Sequence, residues 1–171
     1  MFAAVIIVLP LLAKANDVVH LPDYSLKYSV KIQASKDIVW NIWSDVDNWK
    51  KFDERLQYSY LEGDKAFKQG VIGYLKAKNA PKTKFEIIQF EEGVSFTESL
   101  KIPLYQTIDL QRYFEHNEED NALIVTHEVN FKGSLRAVMY ALLCRPFKKD
   151  LKLVLGRIKE LAEQKEVKSL N

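Results

Sequence analysis

The pattern of apolar and polar positions divides this chain into a strand, a helical pair, a run of strands and a long final helix. Tyr24 to Gln33 alternates, with Tyr24, Leu26, Tyr28, Val30 and Ile32 on one side, as a half-buried strand requires. Ser35 then stands where a helix N-cap belongs, with Asp37 in the first turn, and Ile38, Val39, Ile42 and Trp43 follow at helical spacing. Asp45 to Phe52 predicts a short second helix or turn carrying Trp49 and Phe52. Further strands are expected at Leu56–Glu62, Gly70–Lys78, Lys82–Glu91, Val94–Ile102, Tyr105–His116 and Ala122–Lys132, separated by turn signals such as Gly63-Asp64, Asn79-Ala80-Pro81 and Glu92-Gly93. From Ser134 to about Val167 the apolar residues recur at i, i+3, i+4, running from Leu135 and Val138 through Leu151 and Val154 to Ile158 and Leu161. Pro146 falls mid-way, where its missing N–H predicts a kink or a break into two helices. The order predicts an α+β domain, a curved antiparallel sheet of about seven strands wrapped around a long C-terminal helix, with two short helices after the first strand. Such an arrangement leaves room for a cavity between sheet and helix.

Composition narrows the chemistry. With 171 residues, 47% hydrophobic and 28% charged, the chain suits one soluble domain with a real core. A formal charge of +2 is too small to argue for nucleic acid, and no groove-reading element or interleaved aromatic pattern accompanies it. The single cysteine, Cys144, excludes an intrachain disulfide and a cysteine-based zinc or iron–sulfur site. Its neighbours Leu142, Leu143 and Phe147 predict a small buried side chain. His20, His116 and His127 are too scattered for a metal site. The sequence has no Gly-rich phosphate loop, no G-x-S-x-G and no Cys/His nucleophile pair, and it implies no cofactor.

Phe2 to Leu12 is an apolar run of eleven residues followed by Ala13-Lys14-Ala15, a small-x-small cleavage form. Residues 1–15 therefore read as a signal peptide, and residues 16–171 as a single domain. The run is shorter than the roughly 20 residues a helix needs to span a bilayer. Its n-region has no Lys or Arg, which leaves a mis-chosen start or an N-terminal membrane-associating segment as alternatives. Cleavage would make the protein periplasmic or secreted; retention would leave it cytoplasmic or membrane-associated.

Alternation also names the side chains that can face a cavity. Val94, Phe96, Glu98, Leu100 and Ile102 share one strand face, Ile108, Leu110, Arg112 and Phe114 another, and Leu123, Val125, His127, Val129 and Phe131 a third. Each of these apolar faces carries one ionisable residue: Glu98, Arg112 or His127. Burying any of them unpaired would cost several kcal/mol, so they are expected to pair with each other, with water or with a ligand. One reading makes them a polar cluster that orients a ligand's carbonyl, carboxylate or hydroxyl, with His127 the candidate for proton transfer near neutral pH. The other makes them a self-satisfied ion-pair network near the sheet edge, or residues exposed by a bulge that shifts the register. Phe96 and Tyr58 are the aromatic candidates for ligand contact, being mid-strand with apolar neighbours. Met139, Leu142 and Leu143 could form a flexible lid. Arg145, Lys148, Lys149, Lys152, Arg157 and Lys159 crowd the final helix, a solvated face or a peripheral contact with anionic membrane.

Several segments carry a family resemblance: Ile32–Asp53 (IQASKDIVWNIWSDVDNWKKFD), Gly70–Lys76, Phe85–Phe96 and Thr126–Leu135 leading to Arg157–Glu163. In these the chain resembles the polyketide cyclase/dehydrase and lipid-transport branch of the START-like (SRPBCC) superfamily. The resemblance implies the helix-grip fold of the birch-pollen-allergen type and a cavity for an apolar ligand. It implies no single reaction and no catalytic set. The expected function is binding or transport of a hydrophobic or amphipathic small molecule, such as a lipid, quinone or aromatic metabolite. The alternatives are a cyclase or dehydratase using His127 as acid and base, and a non-catalytic interaction module whose interior is filled by its own side chains.

Overall fold

The computed structural model describes residues 17–21, 23–63, 65–117 and 122–169, so the signal peptide expected over residues 1–15 lies outside the described residues. The strands are β1 (Val19–Leu21), β2 (Ser25–Ile32), β3 (Leu56–Leu61), β4 (Ile72–Ala77), β5 (Lys82–Glu91), β6 (Ser95–Ile102), β7 (Gln106–Asn117) and β8 (Ala122–Lys132). They form one antiparallel sheet of eight strands in the order β1-β2-β8-β7-β6-β5-β4-β3. The sheet stays open, with β1 and β3 at its edges. The strand beyond the expected seven is β1, whose three residues are too few for a period of two to show.

Between β2 and β3 the chain forms α1 (Lys36–Ser44) and a 3-10 helix (Val46–Lys51). Ser35 has the extended backbone of an N-cap (φ −65°, ψ 150°), but its hydroxyl makes no capping bond. Its backbone N–H instead donates to the Glu166 carboxylate at 2.9 Å, and Gln33 N–H donates to Glu163 at 2.9 Å. The start of α1 is thereby tied to the far end of the last helix. Val39, Ile42 and Trp43 are the buried stripe of α1. Trp49, in the 3-10 helix, fixes its ring by donating Nε1–H to the Trp43 carbonyl at 2.8 Å and stacks on Phe85 at 5.4 Å. Phe85 in turn lies against the bare backbone of its cross-strand partner Gly73, where a Cβ would collide with the ring.

The final helix, α2 (Arg136–Ser169), holds 34 residues and so is about 51 Å long at 1.5 Å per residue. It runs without a break through Pro146, so the two-helix alternative is not what folds. Pro146 and Leu142, the residue whose carbonyl loses its donor, are both exposed, so water can take the place of the lost hydrogen bond. The second half of α2 buries Leu151, Val154, Leu155, Ile158 and Ala162. Its first half rests Met139, Tyr140, Leu143, Cys144 and Phe147 on a second cluster built from Leu26, Ile108, Val129 and Phe131. Cys144 is only half-buried there, not the fully buried side chain expected, because this stretch of α2 lies at the margin of the sheet.

Candidate ligand-binding site

A cavity of about 210 Å³ lies between the sheet, the 3-10 helix and α2. Its apolar wall comes from Trp49 and Phe52, from Leu56, Leu75, Leu100 and Leu110 on four strands, and from Phe147, Leu151 and Val154 on α2. The sheet alternation that puts these leucines inward also puts Glu98, Arg112 and His127 in the same wall. Arg112 and His127 are direct cross-strand partners on β7 and β8. Glu98 on β6 faces Leu110, two residues from Arg112, and is reached diagonally.

The three polar residues are buried, at 1% exposure for Glu98, 7% for Arg112 and 4% for His127. Arg112 Nη2 donates to Glu98 Oε1 at 2.7 Å. Its guanidinium also lies over the faces of Trp49 at 4.9 Å and Phe96 at 5.1 Å, two cation–π contacts that hold it in place. His127 sits beside the Trp43 ring at 5.7 Å. The network is half satisfied. Glu98 Oε2, Arg112 Nε and Nη1, and His127 Nε2 are buried with no hydrogen-bond partner in the protein. An unmade bond at such an atom costs about 1–3 kcal/mol, and more for a charged group. Burial pushes the Glu98 carboxyl above its usual range, although Arg112 pulls it down. Burial and the Arg112 charge together hold His127 well below the ordinary histidine value, so its ring is neutral at pH 7. A neutral imidazole keeps one N–H for hydrogen bonding but is a poor general acid at that pH, which weighs against the acid role considered for it.

At the mouth, Arg55 links two elements that are far apart in sequence. Its Nε and Nη2 donate to the two oxygens of Asp53 at 2.9 and 2.7 Å, and its Nη1 pairs with Asp150 of α2. Glu54 in the same turn pairs with Arg157 of α2 at 3.0 Å. The turn after the 3-10 helix is thus latched to the helix that covers the cavity. Burial raises the Asp150 carboxyl despite Arg55 beside it. The sequence did not point to this latch, since its partners sit in charged surface stretches and meet only because α2 passes over Asp53.

The other residues singled out from the sequence lie elsewhere. Phe96 faces inward as expected, but into an aromatic cluster with Trp40, Trp43 and Phe67, and it supports Arg112 from behind. Tyr58 is 41% exposed on the outer face of the sheet, where Tyr60 and Tyr74 continue the row. A bulge between Leu56 and Tyr58 leaves Gln57 unpaired, so Leu56 faces the cavity and Tyr58 faces out. Met139 and Leu143 pack on the second cluster, because the half of α2 that crosses the cavity begins at Phe147. Leu142 is 68% exposed. Among the described residues no group of His, Cys, Asp and Glu could hold a metal ion.

No protein-family model matches the sequence, and no curated protein does. Solved structures share the fold. A protein from Arthrobacter aurescens matches with a TM-score of 0.64 at 14% identity, over 86% of this chain and 91% of that one. The hypothetical protein jhp0584 from Helicobacter pylori matches with a TM-score of 0.65 at 11% identity, over 95% and 99% of the two chains. The di-domain ARO/CYC StfQ from the steffimycin biosynthetic pathway matches with a TM-score of 0.65 at 13% identity. That match covers 88% of this chain and 52% of StfQ, so this chain spans about half of that protein. The fold is a helix-grip. At these identities the likeness reaches the fold alone.

Proposed function

We propose that this chain binds a small molecule with an apolar body and a neutral carbonyl or hydroxyl head in the cavity beneath α2. The observation that carries the reading is the set of orphaned atoms on Glu98, Arg112 and His127, four buried polar atoms on three residues that line one cavity. Arg112 Nε and Nη1 are donors, Glu98 Oε2 is an acceptor, and neutral His127 can serve as either. A carbonyl or hydroxyl complements that mixture. A carboxylate fits less well. The wall carries Asp53, Glu98 and Asp150 against Arg55 and Arg112, and a ligand anion would add to an excess of acid. The leucines around the cavity supply the binding energy, with roughly 5 kcal/mol gross for about 200 Å² of apolar ligand surface removed from water.

The cavity is smaller than the roughly 300 Å³ at which ordinary ligand pockets begin, so uptake of a multi-ring molecule has to widen it. The Asp53–Arg55–Asp150 latch is where that opening would act. The fold shared with the ARO/CYC StfQ supports a pocket of this kind and says nothing about a reaction. Native mass spectrometry of the purified chain should show co-purified cargo with little charge. Calorimetric titration should then show naphthol binding at least about tenfold more tightly than naphthoate, a difference of about 1.4 kcal/mol. Equal affinity for the two, or no saturable binding of either, would refute the reading.

A further inference from the structure

We propose that the end of the molecule formed by the β6–β7 turn and the first half of α2 docks on an anionic lipid bilayer, through an apolar tip inside a basic rim. This surface is separate from the cavity and the proposal does not rest on what the cavity holds. Leu104 and Tyr105 form the tip, at 71% and 103% exposure. Both have left-handed backbones, φ 63° and 56°, a conformation that turns usually assign to Gly, Asn or Asp. Two large apolar side chains held outward on an unfavourable backbone serve no packing purpose within the fold.

The tip is joined to α2 by Gln106. This side chain is buried, and its Nε2 donates to the Leu104 carbonyl at 2.7 Å while its Oε1 accepts from Leu135 N–H at 2.8 Å. Gly133 makes room for it, since a Cβ there would strike the Gln106 amide. Next to the tip, Leu135 just before α2 and Val138 and Leu142 on it are 39%, 54% and 68% exposed. Arg145 and Lys149 continue that exposed side at i+3 and i+7 from Leu142. Lys101 and Lys132 flank Thr107 on the neighbouring strands at the base of the turn. Arg136 stands over the Tyr24 ring at 5.6 Å.

Charge selects the partner. From Lys132 to Lys149 the sequence has five basic residues and no acid. Of the acids close by, Glu86 lies 4.0 Å from Lys101, Asp23 precedes Tyr24, and Asp17 is already engaged with Lys152 at 2.8 Å and Lys148 at 3.6 Å, which leaves Arg136, Arg145 and Lys149 as the core of the rim. Apolar side chains ringed by Lys and Arg match the boundary between acyl chains and anionic head groups. A second copy of the same face would bring like charges together. The apolar run Phe2–Leu12 precedes Asp17 by a few residues, and Asp17 is seated on this same helix.

Sedimentation of the full chain with vesicles tests the proposal. It should bind vesicles containing about a third phosphatidylglycerol at least tenfold better than phosphatidylcholine alone. Leu104→Asn with Tyr105→Asn should weaken that binding at least about tenfold and leave the Tm unchanged, since Asn adopts the left-handed backbone readily. Arg145→Gln with Lys149→Gln should do the same without touching the turn. Equal binding to both vesicle types, or no binding, would overturn the proposal. So would variants that bind as well as the parent, which would assign attachment to Phe2–Leu12. Loss of a dimer in ultracentrifugation on Leu104→Asn, with no effect on vesicles, would assign the face to a second copy.

Discussion

Replacing Glu98 by Leu removes one member of a buried pair and leaves the other behind. The pair is joined by a 2.7 Å charge-assisted bond, with side chains only 1% and 8% exposed. Breaking such a pair from one side costs about 3–5 kcal/mol, because the remaining charge has no counter-ion and no water. Trp49 and Phe96 flank the Arg112 guanidinium at 4.9 and 5.1 Å in the parent, and because Glu98 takes no part in those contacts they cancel in the difference. A destabilisation of about 3–5 kcal/mol is therefore expected for Glu98→Leu. Glu98→Leu together with Arg112→Met removes both charges and puts apolar groups of similar volume in their place. That double variant should be neutral or stabilised by up to about 4 kcal/mol relative to the parent. Urea unfolding of the parent, the two single variants and the double gives the coupling energy directly. A double variant destabilised by the sum of its singles would refute the account, because the two residues would then not act as a buried unit. The stable double variant should also lose the preference for naphthol over naphthoate, which separates the role of the pair in binding from its effect on folding.

Two further outcomes follow from the site. His127 is held below 6.5 in the folded chain, so between that depressed value and 6.5 the unfolded chain binds a proton that the folded one rejects; stability should fall as pH drops through this window, by no more than about 1.4 kcal/mol per pH unit for one proton. His127→Phe should flatten the slope of urea-derived stability against pH below 6.5, and an unchanged slope would show that the ring titrates freely. Arg55→Ala unties the turn from α2; stopped-flow measurement should show ligand association accelerated severalfold, with a stability loss near 1 kcal/mol because Arg55 is itself 45% exposed, and unchanged association would place the point of opening elsewhere.

Much of this architecture is legible from periodicity alone, and the failures have local causes. Strands β2 to β8 each carry enough alternating residues for a period of two to emerge, and the bounding turns mark their ends. The grouping of Glu98, Arg112 and His127 was also readable. Each interrupts a run of apolar residues on one strand face, and β6, β7 and β8 are joined in sequence by short connections that make them neighbours. Tyr58 faces outward because one extra residue, Gln57, reverses the faces of everything after it, and nothing in Leu56–Leu61 announces a bulge. Met139 and Leu143 share an apolar stripe with Leu151 and Val154, so the helical pattern could not say which part of α2 crosses the cavity. Register on a helix fixes a face, and only the docking of that helix fixes what the face meets. The latch was beyond reach for the same reason, as Arg55 and Asp150 are 95 residues apart and no local pattern relates them.

The polar cluster cannot be explained by its contribution to folding. An interior built for stability would fill this wall with the leucines and valines that already surround it, and would leave no orphaned atom. Here a carboxylate, a guanidinium and an imidazole share one wall, and four of their polar atoms are buried without partners. The surrounding structure is committed to holding them there, through the Trp43 carbonyl that fixes Trp49 and the two rings that sandwich Arg112. A sidewall anchored this firmly, with atoms that no protein group satisfies, is what the proposed binding of a polar head group requires. The small volume of the cavity and the latch at its mouth fit the same logic. On the proposed reading, a carbonyl or hydroxyl head group would supply the hydrogen bonds that the protein itself does not make to these atoms.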